Sequence, residues 1–183
     1  PYFDRAKTLA KYLNRHKVPV IDKEFYNKVY AFDKMFMYAA LNHHGLPCAD
    51  TYFFPNMQAF KQSKIGFNFP VIIKDLHGMH GRNIYFKRTK KEFLEFFQTK
   101  KFSKFFIQTM LDNDYYYRVL VVGNKVLGAM KRYSLAYLRV KRIPLEQRSF
   151  PGELTKEMRS LARSAARATN TDVAGVDIMY DTE

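Results

Sequence analysis

The sequence predicts an α+β protein built mostly from antiparallel sheet. Three observations carry that reading. Helical spacing and short β-rich runs alternate along the chain in the order αβ, α, β, α, ββ, α, β, ββ, α, β. Two of the β-rich runs, Tyr115 to Val122 and Lys125 to Tyr133, are separated only by Gly123-Asn124, which reads as a tight hairpin turn. The 183 residues are 47% hydrophobic and 16% aromatic, enough to bury a core, so the chain is not expected to be disordered.

The first expected element is an amphipathic helix over residues 2–15, where Phe3, Ala6, Leu9, Ala10 and Leu13 keep helical spacing. Val18 to Ile21 reads as a short apolar strand, and residues 22–32 as a connection. Asp33 suits the N-cap of a helix to about His44, with Gly45 as its stop. Thr51 to Phe54 is a short strand, and a short helix follows Asn56. Pro70 to Asp75 is a nearly continuous apolar run, as buried strands are. Asn83 to Lys87 reads as the returning strand. Thr89 and Glu92 form a capping box for a helix carrying Phe93, Leu94, Phe96 and Phe97. Phe105 to Leu111 is another apolar strand. After the hairpin, Leu154, Met158, Leu161, Ala165 and Ala168 are expected to line one helix face, with Asn170 near the helix end. Val173 to Tyr180 is the last strand.

The charge is strongly positive: 31 Lys and Arg against 17 Asp and Glu, a formal +14. Clusters stand at Lys87-Arg88 with Lys90-Lys91, at Lys100-Lys101, and from Lys131 to Arg142. Phosphates of a nucleic acid, a polyphosphate or an acidic substrate would each suit such a balance, and so would a solubilising surface. A single Cys, Cys48, excludes an internal disulfide and a Cys-based zinc cluster. There is no run of 18 or more apolar residues, so no membrane span is expected. The chain does not begin with Met and shows no signal-peptide pattern, and a cytoplasmic setting is the simplest expectation.

Four places could carry chemistry. Lys74 ends an apolar strand, where an ammonium is costly unless it meets an anion or snorkels to the surface. The turn His77-Gly-Met-His-Gly-Arg-Asn83 follows it; two glycines allow backbone N–H groups close to an anion, although a plain hairpin would need them too. It is not a Walker A loop. Arg118 shares a strand face with Leu120 and Val122, and Arg132 falls at the end of the next strand. Cations on an apolar sheet face suggest a buried anion, or else an edge strand guarded against aggregation. Asp177 interrupts Val173-Ala-Gly-Val-Asp-Ile-Met and needs a metal, a cation or N–H donors, a structural pairing with a nearby Arg being the plain alternative. Of the five histidines, those at 43, 44, 77 and 80 fit no standard zinc motif.

Taken together and in order, Asp33-Lys34, Val71 to Asp75, Gly78 to Asn83, Ile107 to Leu111, Arg118 to Gly123, Lys131-Arg132 and Ala174 to Ile178 resemble the ATP-grasp ligases. The likeness is nearest to RimK-like enzymes, which include the ribosomal-protein glutamate ligase. It implies an ATP-grasp fold of two α+β lobes with the nucleotide site between them. Residues 1–32 would be the tail of a preceding domain and a linker. Residues 33–111 would be the N-terminal lobe and 112–183 the C-terminal lobe, ending before its last metal-binding strand. By that likeness Lys34 and Lys74 contact ATP phosphates, and Gly78, His80, Gly81 and Arg82 belong to the glycine-rich loop that closes over them. Gln108, Thr109, Met110 and Leu111 match the strand that meets adenine. Arg132 and Arg118 would serve the transferred phosphate, and Asp177 would be the first Mg²⁺ ligand. The implied reaction joins a carboxylate to an amine of an amino acid, peptide or protein tail, through an acyl phosphate made from ATP. The sequence departs from the family where Leu138-Arg-Val-Lys-Arg-Ile143 replaces an Arg-x-Asn, and where Thr109 replaces a common Glu. A nucleic-acid-binding module, or an ATP-grasp relative that binds nucleotide without turnover, are the alternative expectations.

Overall fold

The structure is a computed structural model that describes residues 2–21, 34–76, 83–111, 113–134 and 147–180. The chain divides into two compact units, Phe32–Leu111 and, second, Asp112–Glu183 together with Pro1–Ala31.

In the first unit the described elements are α2 (Lys34–His43), β1 (Thr51–Phe53), α3 (Met57–Ser63), β2 (Val71–Asp75), β3 (Ile84–Lys87), α4 (Lys90–Thr99), a 3-10 turn (Phe102–Lys104) and β4 (Phe105–Thr109). The helix starts are those the sequence announces. Asn56 caps α3 by accepting from the N–H of Ala59, and Thr89 caps α4 by accepting from Glu92 N–H at 3.2 Å. The reciprocal half of the box is shifted by one residue, because the Glu92 carboxylate accepts from the N–H of Arg88 rather than of Thr89.

The strands form an antiparallel sheet in the order β1-β4-β2-β3. One face carries Val71, Ile73, Phe105 and Ile107 into a core closed by Phe93, Phe97 and Phe102. Phe97 and Phe102 stack at 3.7 Å between ring centroids, and Phe60 and Phe67 pack beside them. Each fully buried large side chain here, Phe93 or Ile73 for example, contributes about 1.5–3 kcal/mol. The other face presents Ile72, Lys74, Phe106 and Gln108, since side chains alternate along a strand. Tyr38 of α2 meets Phe106 there, 5.6 Å between centroids. Burial in this unit also reaches Cys48: it is half-buried, and desolvation pushes its thiol up, away from reactive thiolate.

The second unit holds α1 (Tyr2–Arg15), β5 (Tyr115–Val122), β6 (Lys125–Tyr133), β7 (Ser149–Pro151), α5 (Lys156–Ala168) and β8 (Val173–Ile178). Its sheet is antiparallel in the order β7-β6-β5-β8. Gly123 takes a left-handed φ of 57° in the two-residue turn of the β5–β6 hairpin, as that turn requires. Its N–H donates to Asp172 at 2.7 Å, tying the turn to the start of β8. Val119, Val121, Ala174 and Ile178 pack on α5 through Met158, Ala162 and Ala166.

Several expectations are corrected. Val18 to Ile21 is no strand. Lys17 takes a φ of 58°, and Val18 N–H donates back to Leu13, so this stretch ends α1 in a left-handed cap. Among the described side chains of the α1 face expected to be apolar, Ala10 is buried and Leu13 half-buried, while Ala6 and Leu9 are exposed, Leu9 at 58%. On α5 Met158, Ala162, Ala166 and Ala168 are buried, Met158 and Ala168 as expected; Leu161 and Ala165 are half-buried, and Leu154, which precedes the helix, packs against the same core as Leu161. Strand ends are trimmed: β4 stops at Thr109 and β8 at Ile178. The expected cap Asp33 lies outside the described residues.

Asn170 closes α5 with a φ of 52°; its N–H donates to Arg167, and Thr171 N–H to Ala166, both at 2.9 Å. Asn170→Ala is expected to lower stability by about 1 kcal/mol, since Asn, with a short polar side chain that can bond locally, tolerates a left-handed φ that Ala resists. Asn170→Gly should leave it nearly unchanged. Equal denaturation midpoints for Ala and Gly variants would contradict this.

Candidate functional site

In the first unit the polar groups of the sheet are joined in a line. Lys74 stands one residue before the end of β2 and donates to the Gln108 side-chain oxygen at 2.5 Å. The Gln108 amide nitrogen donates to Thr51 Oγ1 at 2.9 Å, and that hydroxyl donates to the Ala49 carbonyl at 2.8 Å. The register explains the line: Gln108 lies opposite Thr51 on one side and Ile72 on the other, so one face holds all three side chains across β2, β4 and β1. Gln108 is 6% exposed, and its amide is satisfied at both ends. The Lys74 ammonium also lies 5.9 Å from the Phe106 ring centroid. Lys34, the first residue of α2, reaches the carbonyl of Asp75 at 3.5 Å, a long contact. Both lysines expected to meet phosphate therefore stand at the end of β2, Lys74 within the strand and Lys34 against the carbonyl of Asp75.

Thr109 closes β4 with its N–H donated to Asp50 at 2.9 Å, so that donor is already used. Met110 and Leu111 follow it, half-buried. Gly78, His80, Gly81 and Arg82 lie outside the described residues, as does the stretch Leu138 to Ile143.

In the second unit the sheet face opposite α5 is open. Leu120 is 43% exposed, and Val122, Met130 and Val173 are exposed as well. Arg118 and Asp177 stand on this face and are register partners across β5 and β8. Their contact is bidentate: Arg118 Nε donates to Oδ1 and Nη2 donates to Oδ2, the latter at 2.8 Å. Arg132, paired in register with Tyr116, belongs to the same face on the other side of β5; its Nε donates to Ser149 Oγ at 3.1 Å, and its guanidinium lies 5.8 Å from the Tyr116 ring. Lys131 points the opposite way and stacks on Tyr115 at 4.2 Å. Donating to the Asp177 carboxylate holds the Arg118 guanidinium above its already high range against the opposing effect of burial, so it stays charged.

The buried anion expected beneath Arg118 is corrected by this geometry. The face is exposed, the side chains of Arg118 and Asp177 are 42% and 47% accessible, and the anion is the Asp177 carboxylate itself. Among the described residues no group of three or more His, Cys, Asp or Glu could hold a metal ion. Asp177 offers one exposed carboxylate, which fits Mg²⁺ where phosphate and water supply the other oxygens.

Sequence reasoning missed Gln108 as a side-chain partner and missed Thr51 altogether. A glutamine inside Phe105-Phe-Ile-Gln-Thr was the available signal, since an amide in an apolar strand needs partners. It also missed Gly175, across which the Arg118 side chain lies: a β-carbon there would stand 3.2 Å from Arg118 Cδ.

Among the described residues no helix is long and apolar enough to cross a membrane. Among curated protein sequences none matches this chain. Solved structures do. D-alanine–D-alanine ligase from Bacillus anthracis superposes with a TM-score of 0.68 at 14% identity, over 96% of this chain and 61% of that one. The ATP-grasp ligase PsnB complexed with minimal precursor gives 0.65 at 19% identity, over 99% and 58%. L-amino acid ligase from Bacillus licheniformis gives 0.64 at 15% identity, over 96% and 43%. The chain thus spans about two fifths to three fifths of the length of these proteins, and the likeness shows an ATP-grasp fold. The RimK-like ATP-grasp domain family matches residues 31–183, five sixths of the sequence, and the chain belongs to that family.

Proposed function

We propose that the chain is the nucleotide-handling part of an ATP-dependent ligase that joins a carboxylate to an amine. A carboxylate oxygen of the substrate attacks the γ-phosphorus of ATP and ADP leaves. The amine nitrogen then attacks the acyl carbon, phosphate leaves, and an amide or peptide bond remains. The observation that carries this reading is the open sheet face of the second unit, where Arg132 on β6 and Asp177 on β8 flank Arg118 on β5. Phosphoryl transfer depends on positioning and on neutralising phosphate charge, and these residue types supply both.

Lys34 and Lys74 serve the phosphates, and Gln108, Thr109, Met110 and Leu111 the adenine. Gly78, His80, Gly81 and Arg82 close over the phosphates; for them the support is the family likeness of the sequence. Arg132 neutralises the transferred phosphate. Asp177 would hold Mg²⁺, which when bound adds further positive charge at the phosphates. Arg118 acts through Asp177, whose carboxylate its guanidinium holds before nucleotide arrives. Among the structural relatives, PsnB has been seen with Mg and ADP, and the Bacillus anthracis ligase with ATP. PsnB has been seen with a precursor peptide, and the other two relatives are named for amino acids; an amino acid, peptide or protein tail is the acceptor class proposed here. A cytoplasmic setting suits an ATP-consuming enzyme.

Calorimetric titration with ATP and Mg²⁺ is the first test, and ADP release by the full-length protein from pooled acids and amines is the second. Saturable ATP binding, followed by ADP release that needs both substrates, is expected. Absence of ATP binding, with tight binding of duplex DNA instead, would point to the basic surface as the working part and sink the ligase reading.

A further inference from the structure

We propose that Arg118 is a positioning residue that withholds Asp177 from free divalent cations until nucleotide is present. The inference rests on the reading of Asp177 as a metal ligand. Both carboxylate oxygens already face a cation: Arg118 Nε engages Oδ1 and Nη2 engages Oδ2. An incoming metal ion must therefore displace the guanidinium from at least one oxygen.

The arrangement depends on a third residue. Gly175 pairs with Leu120, on the same face of β8 as Asp177 and two residues before it. A β-carbon at Gly175 would stand 3.2 Å from Arg118 Cδ and 3.5 Å from Nη1. The missing side chain lets the Arg118 stem lie flat across β8, so that its fork meets Asp177 edge-on. Gly175 has no left-handed φ to explain it, and the Arg118 stem is what a side chain would strike.

The pair is also built to open. Both side chains are nearly half accessible, so the bond is screened and modest in strength. A guanidinium fork fits phosphate as well as carboxylate, and a nucleotide offers it more negative charge. Phosphates arriving at this face draw Arg118 away and leave Asp177 to the metal ion that accompanies them. Metal and nucleotide then bind with positive coupling, and by linkage each raises the affinity of the other equally.

The test uses Mn²⁺ as probe, its free concentration followed by electron paramagnetic resonance, with and without a non-hydrolysable ATP analogue. Wild-type protein is expected to bind Mn²⁺ weakly alone and more tightly with the analogue. Arg118→Met should bind Mn²⁺ alone roughly two- to fivefold tighter, the span of a half-exposed ion pair. Its gain from the analogue should shrink by the same factor. Gly175→Ala keeps every charge and crowds only the flexible Arg118 stem, so it should fold and shift in the same direction. Arg118→Lys, which keeps the charge without the fork, should fall between. A purely electrostatic or structural Arg118 predicts no change in Gly175→Ala, and that result overturns the proposal. Asp177→Asn separates the two readings: if it keeps the analogue-dependent Mn²⁺ binding, the metal assignment itself fails. If it loses that binding while the Arg118 and Gly175 variants match wild type, only the role of Arg118 falls.

Discussion

Asp177→Asn in the full-length protein is expected to cut Mg²⁺-dependent ADP formation at least about 100-fold while leaving the fold intact. The substitution keeps the shape and removes the anionic oxygen. A metal ion at a transferring phosphate supplies several kcal/mol of charge stabilisation, and each 1.4 kcal/mol is tenfold in rate. The cost in stability should be far smaller. Asp177 and Arg118 are both nearly half exposed, so their pairing contributes about 0.2–1 kcal/mol. Asn still accepts one hydrogen bond from the guanidinium. The two readouts therefore separate catalysis from structure. A variant that loses stability and keeps its full rate of ADP formation would make Asp177 a strand-pairing residue and end its assignment to the metal.

Lys74→Met is expected to weaken ATP binding about ten- to a hundredfold, the loss of a charge-assisted contact of about 1.5–3 kcal/mol. The structure adds a second effect. Lys74 is the donor to Gln108 Oε1, which sits in a residue 6% exposed. Met restores the apolar stem but leaves that oxygen unmet, at a cost of about 1–3 kcal/mol. Lys74→Met with Gln108→Met removes both partners and should recover part of the lost stability without recovering nucleotide affinity. Calorimetric titration and urea midpoints on the single and double variants decide it. Unchanged affinity in Lys74→Met would show that the lysine is only a sheet-internal partner of Gln108.

The local parts of the fold were legible because their causes are local. Asn56 and Thr89 cap helices through contacts three residues away, and Gly123-Asn124 needs only its own turn geometry. Val18 misled for a physical reason. Its apolar side chain and those of Val20 and Ile21 suggest a strand, but the residue sits just past a helix end, where a hydrophobic residue commonly accompanies a left-handed cap. The α5 face was legible at Met158 and Ala168, and Ala162 and Ala166 were the buried positions not named. Both spacings i+3 and i+4 are helical, and the sheet selected the Met158–Ala162–Ala166 row. At the site, residue types were legible and partners were not. Arg118 and Asp177 are 59 positions apart, and Lys74 and Gln108 are 34 apart. Which residue faces which depends on strand order and register, and a slip of one residue would turn each to the opposite face.

The open face of the second sheet has a consequence for how copies of the chain behave toward one another. Leu120, Val122, Met130 and Val173 leave apolar surface in water, while the chain carries a net +14. In dilute buffer the like charges repel over about 30 Å, the screening length near 0.01 M salt. In about 1 M salt that length shrinks to about 3 Å, and only contact forces remain between neighbours. Apolar faces then attract without opposition. The colloidal stability of this protein should accordingly fall as sodium chloride is added, and low-salt buffers should keep it dispersed. Light scattering across a salt series reads that balance directly, with Leu120→Ser shifting the onset to higher salt.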